Sequence, residues 1–228
     1  MNKLWYLKQC DVFSTLDKEK LSKISGITKE KHIPKNEIIY SSQDKDDQMF
    51  ILKKGRVRIF KVSEDGKMIT LSLLRDGDIF GTMSAIRGGV SGAYAETLED
   101  SYICSIRQGD FYNAVKEMPE IALRLIEIIN QRLKQAEDRI EDLVFRNIPG
   151  RIAGILLKLA EQFGKDTPEG IQINFKITHQ ELADMVGATR ETVTIILNDF
   201  KNDNLIKISE KYITIIDEEI LKAWAGKE

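Results

Sequence analysis

Arg190 and Glu191 open an amphipathic stretch in which Thr194, Ile195, Asn198 and Lys201 recur at helical spacing. On an α-helix these six side chains share one outward face. Arginine can donate two hydrogen bonds to guanine O6 and N7, and glutamate can accept from cytosine N4, so the adjacent pair has the chemistry to read base edges in a major groove. Upstream, Thr178 begins a second short helical pattern. A threonine and the free backbone N–H groups at a helix N-terminus can hold a phosphate, and His179 and Gln180 can reach a nucleic-acid backbone too. No competing catalytic pattern is present. The two histidines, His32 and His179, have no triad context. There is no P-loop, nucleophile elbow or HExxH, and the glycines from Gly88 to Gly92 do not follow GxGxxG spacing. An enzyme is not expected. Cys10 and Cys104 form no CxxC pair, so no metal site is expected either.

The elements that must position these residues are legible. Thr178 with Glu181 three residues on is a capping box, and Leu182, Ala183 and Val186 form the inward face of the helix that follows. Gly187 stands where a left-handed residue must reverse the chain. Thr189 caps a second helix whose inward positions are Val193, Ile196, Leu197 and Phe200. Two short helices joined by a glycine turn make a helix-turn-helix, spanning Thr178 to Leu205. Leu205–Ile208 and Tyr212–Ile215 then alternate around Ser209-Glu210-Lys211 as a β-hairpin wing.

Three textures precede the wing. Residues 1 to about 30 carry short amphipathic helices around Leu16, Leu21 and Ile24. Residues 31–110 read as strands such as Met49–Leu52, Val57–Phe60 and Met68–Leu73, punctuated by Lys54-Gly55, Asp65-Gly66, Asp76-Gly77 and Gln108-Gly109. An antiparallel roll is expected. From Ala122 an apolar seam at alternating spacings of four and three runs through Ile126, Ile129, Leu133, Ala136, Ile140 and Leu143. That heptad predicts a parallel two-stranded coiled coil, hence a homodimer interface. Asn147 and Pro149 restart the chain as a new helix whose apolar face includes Ile152, Ala153, Ile155, Leu156, Leu159 and Ala160. Gly164 and the polar residues to Gly170 end it. The expected class is α+β, with an N-terminal β-roll sensory domain over 1–117, a dimerisation helix over 118–146 and a winged helix-turn-helix over 147–228.

The chain is 42% hydrophobic and 31% charged, ordinary for a globular protein, with a net charge of −2. No apolar run spans a bilayer and the N-terminus is too polar for a secretory signal, so a cytoplasmic location is expected. Cys104 lies in an apolar strand as an inert buried thiol. Cys10, near the terminus, is open to exposure and a redox role. Residues 151–228 carry ten Lys/Arg against thirteen Asp/Glu. Such an acidic domain predicts modest DNA affinity and a shallow salt dependence, because non-specific binding needs positive charge while specific reading needs only a few placed donors.

At this point the chain resembles the Crp–Fnr family of bacterial regulators over nearly its whole length. The resemblance rests on Thr178–Leu205, the heptad helix and Gly77-Asp78-Ile79-Phe80-Gly81. It implies a dimer that binds palindromic double-stranded DNA, with RNA polymerase as a further partner. Arg190 and Glu191 match the family's base-reading pair. Thr194 lies where a small residue is common, and Thr189 caps the same helix. Ile195 departs from the second arginine of many members and suits a thymine methyl. In cyclic-nucleotide-binding members a glutamate and an Arg-Ser pair hold the ligand. Here those positions read Thr82 and about Ser91-Gly92, and the adenine-contacting pair reads Ala136-Glu137. These losses argue against cyclic AMP. The haem ligands of the gas-sensing members fall at Gly81 and Met83. Methionine can ligate iron, which keeps haem as the alternative, although a core methionine is the simpler reading. The leading expectation is a small organic acid or anion between roll and long helix, touching Gly81, Thr82, Met83, Arg87, Ser91, Gly92, Ala93, Ile129, Leu133 and Ala136. Arg87 is the cation nearest that stretch, and Gly88, Gly89 and Gly92 can cradle an anion through backbone N–H groups.

Overall fold

The computed structural model describes residues 3–41, 48–81 and 92–226. They divide into two compact units, Met1–Leu133 and Lys134–Glu228.

The first unit opens with α1 (Lys3–Gln9), a 3-10 turn (Asp11–Phe13) and α2 (Lys18–Ile27), whose N-cap Asp17 accepts the Lys20 N–H. Eight strands follow: β1 (Thr28–Ile33), β2 (Ile38–Tyr40), β3 (Gln48–Lys54), β4 (Val57–Val62), β5 (Met68–Leu74), β6 (Ile79–Gly81), β7 (Ala93–Thr97) and β8 (Ser101–Arg107). They pair antiparallel in two four-stranded sheets, β1-β8-β3-β6 and β2-β7-β4-β5. The two-residue period of a strand sorts the side chains of β3 and β8 into two layers. Met49, Ile51, Cys104 and Ile106 pack with the helices, and Leu52 and Ile103 pack with Val57, Leu74 and Ala95 between the sheets. Gly55, Gly66 and Gly77 take positive φ in the turns, as Asp-Gly-type hairpins require. Gln108-Gly109 does not make a turn. It starts α3 (Gln108–Glu117), because Phe111 and Ala114 downstream bury a helical face.

Cys10 corrects an expectation. The thiol is fully buried, donates to the Tyr6 carbonyl at 3.6 Å, and burial pushes its pKa up to about 12. A buried thiol that forms little thiolate near neutrality is a structural, inert cysteine.

α4 (Glu120–Phe145) carries two adjacent stripes. Ile121 and Leu125 are 0% and 4% exposed, and Ile128 packs on the same core. The neighbouring heptad positions Ile126, Ile129, Leu133, Ile140 and Leu143 are 40–62% exposed, and Ala136 is exposed with them. One stripe holds the helix to its own chain, and the other is left largely uncovered by the described residues.

The second unit contains the end of α4, then α5 (Ile148–Phe163), β9 (Gly164–Thr167), β10 (Gly170–Ile173), α6 (His179–Val186), α7 (Arg190–Asn202), β11 (Ile206–Ser209), β12 (Tyr212–Ile215) and α8 (Glu218–Trp224). Asn147 caps α5 by accepting the Gly150 N–H at 2.9 Å. Asp142 accepts from Arg146 at 2.7 Å and Lys158 at 3.2 Å, which ties the end of α4 to α5. The polar stretch after Gly164 is strand rather than loop. β9 and β10 complete a four-stranded sheet, β11-β12-β10-β9, so the wing is wider than a single hairpin. No helix among the described residues is long and apolar enough to cross a membrane.

Candidate nucleic-acid interface

The site is built from local chemistry outward. Thr178 Oγ1 accepts the Glu181 N–H at 3.1 Å, while the Glu181 carboxylate accepts the Thr178 N–H at 2.6 Å and its hydroxyl at 2.7 Å. This reciprocal cap starts α6. Gly187 ends it at φ 69°, a left-handed conformation that costs a residue with a Cβ about 1–2 kcal/mol. Thr189 accepts the Thr192 N–H at 3.2 Å and starts α7. Leu182, Ala183 and Val186 of α6 and Val193, Ile196, Leu197 and Phe200 of α7 are buried. Phe200 also packs its ring 5.7 Å from that of Trp224 on α8.

Burying that side of α7 presents the other. Arg190, Glu191, Ile195, Asn198 and Lys201 are all exposed along it, as is the capping Thr189. Ile195 is 62% exposed, a large aliphatic side chain mostly open to solvent. Thr194 is half-buried and its hydroxyl is committed: it donates to the Arg190 carbonyl at 2.8 Å and lies 2.7 Å from His179 Nδ1. Its free surface is therefore mainly methyl. Gln180 is exposed, but its amide N–H donates to Asp184 at 2.8 Å. At the wing tip Glu210 and Lys211 both have positive φ, the geometry of a two-residue hairpin turn. The Lys211 carbonyl accepts the Ile177 N–H at 2.9 Å and anchors the wing to the segment entering α6.

The acidic surround is partly spent inside the fold. Glu181 serves the capping box, Asp184 is buried and accepts from Gln180, Asp217 caps α8, and Glu169 and Glu218 pair with Lys207 and Lys222.

The expected effector residues fare differently. Thr82, Met83, Arg87 and Ser91 lie outside the described residues, as do Gly88 and Gly89. Gly81 ends β6 opposite Met49 at φ 113°, where a Cβ would meet the Gln48 carbonyl oxygen at 2.6 Å, so strand pairing alone demands the glycine. Gly92 is half-buried, and Ala93 is buried on β7, in the other sheet. Ile129 and Leu133 do not turn into the roll, because they belong to the exposed stripe. Ala136, also exposed, belongs to the second unit. Arg132, which sequence reasoning missed, is exposed along its stem but reaches back to the roll with its guanidinium. It continues the 121/125/128 stripe and donates to the Ile79 carbonyl. Burial pulls its pKa below the usual arginine value, opposed by Asp78 and Tyr40. Tyr40, pushed up to about 12 by burial, stacks with Phe50 and Phe80, whose rings lie 5.9 and 6.3 Å away. The Arg132 guanidinium thus lies near the stacked rings of Tyr40, Phe50 and Phe80. Among the described residues no group of three or more His, Cys, Asp or Glu gathers where it could hold a metal ion.

Known proteins match this arrangement. Residues 30–118 match the cyclic nucleotide-binding domain and residues 150–224 the Crp-like helix-turn-helix domain. The chain is 35% identical over 185 residues to the global nitrogen regulator of Synechocystis sp., covering 79% of this chain and 81% of that protein. It is 32% identical over 184 residues to the cAMP-activated global transcriptional regulator CRP of Salmonella typhimurium, covering 80% and 87%. A solved CooA mutant from Carboxydothermus hydrogenoformans has a TM-score of 0.76 at 29% identity over 89% of both chains. These relatives are regulators and not enzymes. A capped helix pair with its wing, a β-roll and a long helix, together with relatives this similar over most of their length, place the chain in the Crp–Fnr family of bacterial transcription regulators.

Proposed function

We propose that this regulator acts in the cytoplasm as a homodimer that binds an inverted-repeat DNA site, and that a small organic acid or anion in the roll sets its affinity. The carrying observation is α7, buried on one side and presenting Arg190, Glu191, Ile195, Asn198 and Lys201 on the other. The uncovered heptad stripe of α4 supports the dimer. In this reading residues 1–117 sense, 118–146 dimerise and 147–228 bind DNA, with RNA polymerase as the further partner. Arg132 supports the anionic effector: its guanidinium can exchange the Ile79 carbonyl for a carboxylate, a stronger, charge-assisted partner. The replaced nucleotide-binding positions, Thr82 and Ser91-Gly92, weigh against cyclic AMP. Ligand binding then shifts the dimer between two packings about the Asn147–Pro149 junction.

The test is DNA affinity of purified protein against a panel of small mono- and dicarboxylates. One class is expected to raise affinity by about 5–150-fold, the usual range of allosteric coupling, and Arg132→Gln is expected to abolish the response. Cofactor-free protein that already binds as tightly as with any acid or cell extract contradicts the gating.

A further inference from the structure

The first turn of α6 holds an aromatic polar side chain, His179, whose outer ring nitrogen is uncommitted. Thr178 gives its hydroxyl proton to Glu181, and Gln180 gives an amide proton to Asp184. His179 is different. Its Nδ1 lies 2.7 Å from Thr194 Oγ1, and that hydroxyl donates its only proton to the Arg190 carbonyl. Nδ1 must therefore be the donor to Thr194, which fixes the tautomer. Nε2 then carries a lone pair in the neutral ring, and it has no hydrogen-bond partner among the described residues. A lone pair repels a phosphate oxygen, whereas an Nε2–H donates to one.

We propose that His179 is a proton-linked DNA anchor: protonated at Nε2, it donates to a backbone phosphate at the half-site while Nδ1 holds Thr194 of the recognition helix. This deepens the DNA-binding reading and rests on it. The first helix of such a pair crosses the DNA backbone, so its first residue is placed for this contact. The charged group facing the ring from α7 is Arg190. On α6 itself Glu181 is held by Thr178 and Asp184 by Gln180, and from the wing Lys211 reaches Ile177 through its carbonyl. Burial and Arg190 hold the imidazole below its ordinary pKa, so in free protein at neutral pH it is mostly neutral. A phosphate beside it raises the pKa in the complex. The sign follows by linkage: the gain in affinity is fully present below the free-protein pKa and lost as pH rises through the value in the complex. A dimer takes up to about two protons on binding.

The experiment uses the full-length protein and the DNA that it selects from a random pool, at fixed salt, from about pH 5.5 to about pH 8. Wild-type affinity is expected to fall about tenfold or more across this range, with proton uptake measurable by calorimetry in buffers of differing ionisation enthalpy. His179→Gln does not titrate, and its profile is expected to be flat. His32→Gln, which removes the other histidine, is expected to keep the wild-type profile. Parallel profiles for wild type and His179→Gln, or loss of the dependence in His32→Gln, overturn this inference alone. Failure to select any specific DNA at every pH overturns the DNA-binding reading with it.

Discussion

Replacing Ile140 with aspartate is expected to leave each chain folded but to abolish the dimer. Ile140 is 62% exposed on α4, so it makes little packing within its own chain and far-ultraviolet circular dichroism should be unchanged. In a two-stranded coiled coil the same position faces its symmetry mate, and each apolar side chain there contributes about 1.5–3 kcal/mol on burial. The substitution removes two such contributions and sets two carboxylates against each other in a low-dielectric seam. The summed cost is about 3 kcal/mol or more, over a hundredfold in the dimer dissociation constant. Sedimentation should find monomer at concentrations where wild type is dimeric. DNA affinity should fall by a similar factor, because one subunit reads one half-site. An Ile140→Asp protein that still sediments as a dimer would show that another surface pairs the subunits.

The second large effect is expected at Arg190. Its neighbours Thr189 and Thr192 set the start of α7 and the buried Val193, Ile196, Leu197 and Phe200 hold the helix, so Arg190→Ala should not disturb the fold. A bidentate arginine–guanine contact contributes about 1–3 kcal/mol of discrimination. The variant should bind its site about ten- to hundredfold more weakly per half-site, and preference should relax at one base pair in each. Competition against a set of single-base substitutions measures this. A uniform loss over all sequences would make Arg190 a phosphate contact instead.

The parts of the site legible in the sequence are those fixed by local chain chemistry. Thr178 with Glu181, Gly187 and Thr189 each solve a problem posed by the adjacent backbone, and the structure contains each solution. The inward and outward faces of α7 follow from the 3.6-residue period alone. What was illegible depends on contacts distant in the chain. Arg132 was hidden because the heptad stripe and the core stripe share α4 one residue apart, and nothing in a charged residue announces that its guanidinium reaches the roll. β9 carries no apolar alternation between Gly164 and Thr167; pairing with β10, which itself pairs with β12, makes it a strand. α8 is seven residues long, too short for periodicity, and Leu221 and Trp224 acquire meaning only against the rest of the unit. Cys10 is buried by packing among α1, α2 and the first sheet, which proximity to a terminus does not reveal. The engagement of Thr194 by His179 joins residues on two helices, and it leaves mainly the Thr194 methyl on the outward face.

The most direct measurement is selection of bound sequences from random double-stranded DNA by the purified full-length protein. Two copies of α7 related by a two-fold axis predict an inverted repeat whose half-sites are centred about one helical turn, roughly 34 Å, apart. A single unrepeated site, or no enriched sequence, would contradict the account.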